Sequence, residues 1–310
     1  KIPHQDSPIP MILSSLVAGA WCWHAPYYAG RWSLLDQPAG AAAAGLAAIE
    51  CNDFMQPPPR LSRLRRPLLR LLPAAPQELW RYSQANLRHL RANTQAHGVR
   101  ILTWAINSDF SVPGRAWPAQ RIYLRRGLEA ARLLDVSLLR VTLGGSAHTP
   151  RSRDTMIVQR LAALVQASPA VVTLENHWGV STDIQRHLEI FDAVAAALPA
   201  GLRPHFGCCF DPGNVPEGPD RLRWWKELAR RANHFPLKTT AFDAAGDETH
   251  LPHAAIFGLL AEAGYRGPVT IEYAGEDDPQ EGLRWSVRLY ERLAPVLASS
   301  AATLAAPVFG

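Results

Sequence analysis

Lysine is nearly absent: Lys1, Lys226 and Lys238 are the three lysines among 32 basic residues, and arginine supplies the rest. A genome-wide preference for arginine explains that ratio without nucleic acid, and a formal charge of +5 is too small to demand a polyanionic partner. The scarcity also sets Lys238 apart, because lysine is not this chain's default cation. Cysteine is thin as well. Cys22, Cys51, Cys208 and Cys209 neither form the spaced pairs of a zinc site nor reach the density of a disulfide scaffold. Reduced, buried thiols of a cytoplasmic protein are expected. No apolar run reaches the ~20 residues that cross a bilayer. Pro10 to Trp21 has the apolar character of a signal-peptide core, but Asp6 and a weakly basic flank favour a first strand. No G-x-G-x-x-G follows a strand and no G-x-x-x-x-G-K-[ST] occurs, so a nucleotide cradle has no support.

What is present is a core-forming composition, 47% hydrophobic and 19% charged, arranged as short apolar runs that alternate with longer amphipathic ones about eight times. The strand candidates are Met11–Val17, Ala47–Cys51, Val99–Trp104, Ser137–Thr142, Val171–Glu175, His205–Asp211, His234–Thr239 and Val269–Tyr273. Helical patterns separate them. Over Ala119–Leu134, for example, Ile122, Leu124, Leu128, Ala131 and Leu134 fall near one face, with arginines mostly off it. Eight β-α repeats predict an α/β fold, a single (β/α)8 TIM barrel spanning 1–310. A Pro/Arg-rich insertion around 56–76 and an irregular tail around 298–310 complete the expected layout. The basic run Arg60 to Arg70 reads as a solvated insertion or as an anion-attracting lid. Gly144-Gly145 after the fourth strand suits a tight loop or a close approach to a ligand.

Three carboxylates each close an apolar run: Glu175 after Val171 to Leu174, Asp211 after Phe206 to Phe210, and Glu272 after Pro268 to Ile271. If those strands neighbour one another in a closed parallel barrel, their ends meet at the C-terminal mouth, where such barrels build active sites. Lys238 ends a fourth strand on the same rim. Glu50, Asn107, Arg140 and His205 are further candidates for the cavity, Arg140 as a clamp for substrate oxygens.

The segments Leu174-Glu175-Asn176-His177-Trp178-Gly179, Asp211-Pro212-Gly213-Asn214 and Ile271-Glu272-Tyr273-Ala274-Gly275-Glu276 resemble the sugar phosphate isomerase/epimerase family of xylose-isomerase-like TIM barrels. Gly45 to Glu50 and Ala263 to Gly267 extend the resemblance over about Ser33 to Leu293. It implies a divalent metal (Mn, Mg, Co or Zn) held by Glu175, Asp211, Glu272 and a histidine two residues before the strand's lysine. That position is Pro236, which has no donor atom. His234 shares its parity one layer deeper, as a structural histidine or a ligand. In the metal-dependent reading Glu175 and Glu272 transfer the proton; from their places in the sequence, Lys238 is an electrostatic stabiliser or an ion pair that holds the rim, and His177, Asn214, Arg140 and Glu50 are candidate substrate contacts.

The expected activity is isomerisation or epimerisation of a sugar, sugar phosphate or cyclitol through an enediolate, or dehydration where a β-hydroxyl leaves. A relative of apurinic-site endonucleases is a second class, disfavoured because Asn214 and Pro236 stand where zinc ligands are expected. A non-catalytic sugar- or partner-binding barrel is a third. The partner is a small carbohydrate-like molecule rather than nucleic acid or membrane, with a homo-oligomer open.

Overall fold

Eight short strands pair in parallel, each with its sequence neighbour and β8 with β1, into a closed barrel. The computed structural model describes residues 16–57, 78 and 81–304. The strands are β1 Leu16–Gly19, β2 Ala48–Asn52, β3 Arg100–Ala105, β4 Leu138–Thr142, β5 Val171–Glu175, β6 Phe206–Cys209, β7 Ala232–Thr239 and β8 Val269–Tyr273. Their α-helical connections include Gln37–Ala43, Gln84–Ala96, Trp117–Leu134, Asp154–Ala167, Ile184–Ala197, Arg221–Ala229 and His253–Glu262, and Pro279–Leu304 follows β8. The single (β/α)8 TIM barrel expected from the repeats is the observed fold.

Alternation along each strand divides the side chains into two sets. Val172 and Leu174, Phe235 and Leu237, and Ile271 and Tyr273 face outward into the main core under the helices. Val17, Ala48 and Leu102 form a separate small apolar cluster, the floor of the barrel interior. The opposite parity carries Thr173 and Glu175, His234 and Lys238, and Thr270 and Glu272 inward, so polarity rises towards the mouth.

Several expected boundaries move. β1 continues to Gly19, while Met11 to Ser15 lie outside the described residues, as do 58–76 of the insertion, with its basic run, and 305–310. The final helix extends to Leu304, so the start of the tail is helical, in keeping with the high helix propensity of its alanines. On Trp117–Leu134 the inward face includes Tyr123, which is fully buried, whereas Ile122 is 43% exposed. β6 stops at Cys209 and begins after a 3₁₀ turn that ends at His205. His205 is therefore at the N-terminal end of the barrel, opposite the mouth, and is removed from the cavity set.

All four cysteines are free and buried, and burial pushes the Cys22 thiol up to about 12, which keeps it protonated and unreactive. Among the described residues no helix is long and apolar enough to cross a membrane.

Candidate active site

The C-terminal strand ends surround a cavity of about 500 Å³ lined by Glu175, Glu272, Arg140, Lys238, His177 and Asn107, with Trp21, Tyr28, Phe54 and Trp178 among its aromatic walls. Register alignment brings the groups to one level: Lys238 lies beside Glu272 on the β7–β8 ladder, and Thr142 beside Glu175 on β4–β5. Apolar ring faces around a few convergent polar groups suit a polyhydroxylated ligand. A 420 Å³ cavity between helices, near Tyr82, Leu87 and Arg126, lies away from these strand ends and lacks their cluster of inward carboxylates.

Arg140, 7% exposed, is the hub. Its Nη1 donates to Glu272 Oε1 at 2.9 Å and lies 3.2 Å from Glu175 Oε1. Its Nη2 donates to Asn52 Oδ1 at 2.8 Å and lies 3.0 Å from Glu50 Oε1. The contacts to Glu50 and Glu175 are charge contacts without hydrogen-bond alignment, since Glu50 Oε1 and Glu175 Oε1 have no hydrogen-bond partner. Burial opposes the guanidinium charge, but Glu175, Glu50 and Glu272 together hold its pKa well above the usual value. Burial pushes Glu50 up to about 8 despite Arg140. Burial likewise raises Glu272 against the opposing pull of Arg140 and Lys238.

Lys238 and Asp211 form the second charged pair. Lys238 Nζ donates to Asp211 Oδ2 at 2.6 Å and contacts Asn214 Oδ1 at 3.4 Å. Asn214 Nδ2 donates to the same Asp211 oxygen at 2.8 Å, and Gly213 N–H donates to Asp211 Oδ1 at 2.8 Å. Asn176 braces the turn by exchanging two hydrogen bonds with the Asp211 backbone. Burial alone would lower the Lys238 pKa, but Asp211, then Glu272, raise it instead, so Lys238 is a fixed cation and not a base.

The remaining expected residues separate by depth. His177 lines the cavity and its Nδ1 is buried without a hydrogen-bond partner. Glu50, 1% exposed, lies beneath Arg140, and Asn214 sits behind Lys238, so each supports the charged groups from outside the cavity lining. His234 Nε2 is 2.8 Å from Thr270 Oγ1 and 3.2 Å from Glu50 Oε2. Burial, reinforced by Arg140, drives its pKa well down, leaving a neutral imidazole in the barrel interior. Gly144 and Gly145 have positive φ and press against Asp109, Ser111 and Thr149; they make a tight loop packed on protein.

Sequence reasoning missed Asn52, although its alternation with Glu50 on β2 marked it as inward-facing. Trp21, Tyr28 and Phe54 carried no comparable signal, being in the short helical turns that follow β1 and β2.

The side chains present do not fit the divalent ion that the resemblance implies. Proline stands at position 236, both Asp211 oxygens already accept hydrogen bonds, and one Arg140 nitrogen lies against both Glu175 and Glu272. Among the described residues no group of three or more His, Cys, Asp or Glu side chains is disposed to hold an ion.

A closed parallel barrel whose polar cavity opens at the carboxyl ends of the strands defines the class of the protein. Within that class the chain belongs to the xylose isomerase-like TIM barrel family, matched over residues 38–293. No curated protein matches the sequence significantly. D-allulose 3-epimerase from Methylomonas sp., in complex with D-allulose, is similar with a TM-score of 0.65 at 15% identity, over 90% of this chain and 97% of that one. A xylose isomerase-like TIM barrel protein from Mycobacterium smegmatis in complex with magnesium gives 0.63 at 15%, over 94% and 99%. The probable 3-DHS dehydratase AsbF from Bacillus anthracis gives 0.60 at 14%, over 89% and 98%. At these identities the likeness establishes the fold.

Proposed function

We propose that the chain is an isomerase or epimerase of a sugar, sugar phosphate or cyclitol that moves a proton next to a carbonyl through an enediolate. The observation that carries this reading is the pair Glu175 and Glu272, both held against one nitrogen of Arg140 in an aromatic-walled cavity. Glu272 takes the proton from the hydroxyl-bearing carbon beside the carbonyl. Burial raises its pKa above the usual carboxylate value, which makes it a stronger base than an exposed carboxylate. Glu175, on β5 across the cavity from β8, delivers a solvent-derived proton to the second face of the planar enediolate, and Glu272 gives the proton it took to solvent, so the turnover balances. Lys238, with Asp211 fixing its ammonium, supplies positive charge to the developing oxyanion, while His177 meets a substrate oxygen.

The test is deuterium uptake from D2O into ketoses and inososes. Wild-type protein should label the carbon next to the carbonyl of at least one of them. Glu272→Gln should reduce labelling by about 10² or more, the scale of a lost general base. Labelling that survives the substitution would remove Glu272 from the role, and a wild type that labels nothing would sink the isomerase reading.

A further inference from the structure

We propose that the Arg140 guanidinium takes the place of a divalent ion, so that the mouth rejects divalent cations and works on a built-in organic cation. The exclusion of the ion follows from side chains alone; the catalytic half rests on the proton-transfer reading above. Every carboxylate that the family resemblance assigns to the metal is already matched by a cation of the chain. Nη1 of Arg140 lies 3.2 Å from Glu175 Oε1 and 2.9 Å from Glu272 Oε1, and Lys238 Nζ lies 2.6 Å from Asp211 Oδ2.

Arg140 is also held from behind, its Nη2 being 2.8 Å from Asn52 Oδ1 and 3.0 Å from Glu50 Oε1. An incoming divalent ion would therefore have to expel a buried guanidinium from Glu175, Glu272 and Glu50, or sit beside it and be repelled. Pro236 offers no imidazole to reward either move. The substitution keeps the chemistry: a planar, permanently charged group pairs with several carboxylates at once, and Arg140 lines the cavity beside Glu175 and Glu272, where its charge faces a substrate oxygen.

The experiment titrates Mn²⁺ alone into full-length, EDTA-dialysed protein and follows water-proton relaxation. Wild type should give no saturable site, whereas Arg140→Ala/Pro236→His, which removes the cation and restores an imidazole, should bind Mn²⁺ at least tenfold more tightly, its fold checked by circular dichroism. Saturable binding of one Mn²⁺ per wild-type chain overturns the proposal whatever the variant does. So does a folded double variant with no gain. A substrate labelled in the exchange assay should be labelled equally with and without EDTA, and loss of labelling in EDTA that added Mn²⁺ reverses also overturns it. Absence of labelling throughout would count against the isomerase reading, with the titration still deciding this one.

Discussion

At the scale of single residues, the mouth is organised by pairing buried charges. Asp211 is fully buried, and its Oδ2 accepts from both Lys238 and Asn214. Removing the ammonium leaves a carboxylate in a dry setting with amide donors only, and breaking one side of a buried pair costs about 3 kcal/mol. Lys238→Met should lower the unfolding free energy measured by urea titration by an amount of that order. Lys238→Met/Asp211→Asn should recover much of the loss, because it withdraws both charges together. A double variant no more stable than the single one would mean that Lys238 stabilises through its packing and not its charge. The same logic makes His234 a structural residue: its imidazole is neutral, lies within 2.8 Å of Thr270 Oγ1 and is fully buried beneath the cation.

At the scale of elements, the connection after β2 is tied to the helix after β3 by one buried acid. Asp53 Oδ2 accepts from Tyr123 Oη at 2.6 Å and Tyr82 Oη at 2.9 Å, and Trp104 Nε1 donates to Tyr82 Oη in turn. Tyr123→Phe leaves Asp53 one donor short in a fully buried setting, which should cost about 1–3 kcal/mol; an unchanged urea midpoint would refute the tie. Elements of this kind were partly legible in the sequence. The strands that lead to Glu175, Asp211 and Glu272 were readable because each is a β-branched or apolar run followed by an acid, although β6 itself stops two residues short of Asp211, and alternation already placed His234, Pro236 and Lys238 on one face. The hub at Arg140 was not. Its parity left both directions open, and its partners Glu50, Asn52, Glu175 and Glu272 come from three other strands that meet only once the barrel closes. Tyr123 was missed for a related reason: helical periodicity admitted Ile122 to the inward face, and the helix's rotation against the barrel exposes Ile122 and buries its neighbour.

For the molecule as a whole, the buried titratable groups pull stability in opposite directions with pH. His187, pushed down to about 4 by burial, is neutral in the folded state, as are His234 and His253, whose pKa values burial also lowers. Their contribution is present above the unfolded histidine pKa of about 6.5 and is lost on acidification. Glu50 and Asp53 behave oppositely. Burial pushes them up to about 8 and about 7, so the folded chain keeps protons that the unfolded chain releases near pH 4. Their contribution is full below that pH and fades as pH rises through 7 and 8. Between about pH 4 and 6.5 the two sets offset each other. Above 6.5 the unfolded histidines lose the rest of their protons within about one pH unit, and beyond that the decline due to the buried carboxyls, Glu272 among them, is what remains. At about 1.4 kcal/mol per pH unit for each proton, weighted by fractional occupancy, the carboxyls' loss exceeds the histidines' last gain, and stability should fall by on the order of 1 kcal/mol from pH 6.5 to 8.5. Urea titrations at the two pH values measure it. Asp53→Asn, which keeps an acceptor for the tyrosines without a titrating proton, should remove the smaller share of the fall and leave Glu50's. A midpoint that rises over this interval would mean that both carboxyls are already ionised in the folded protein.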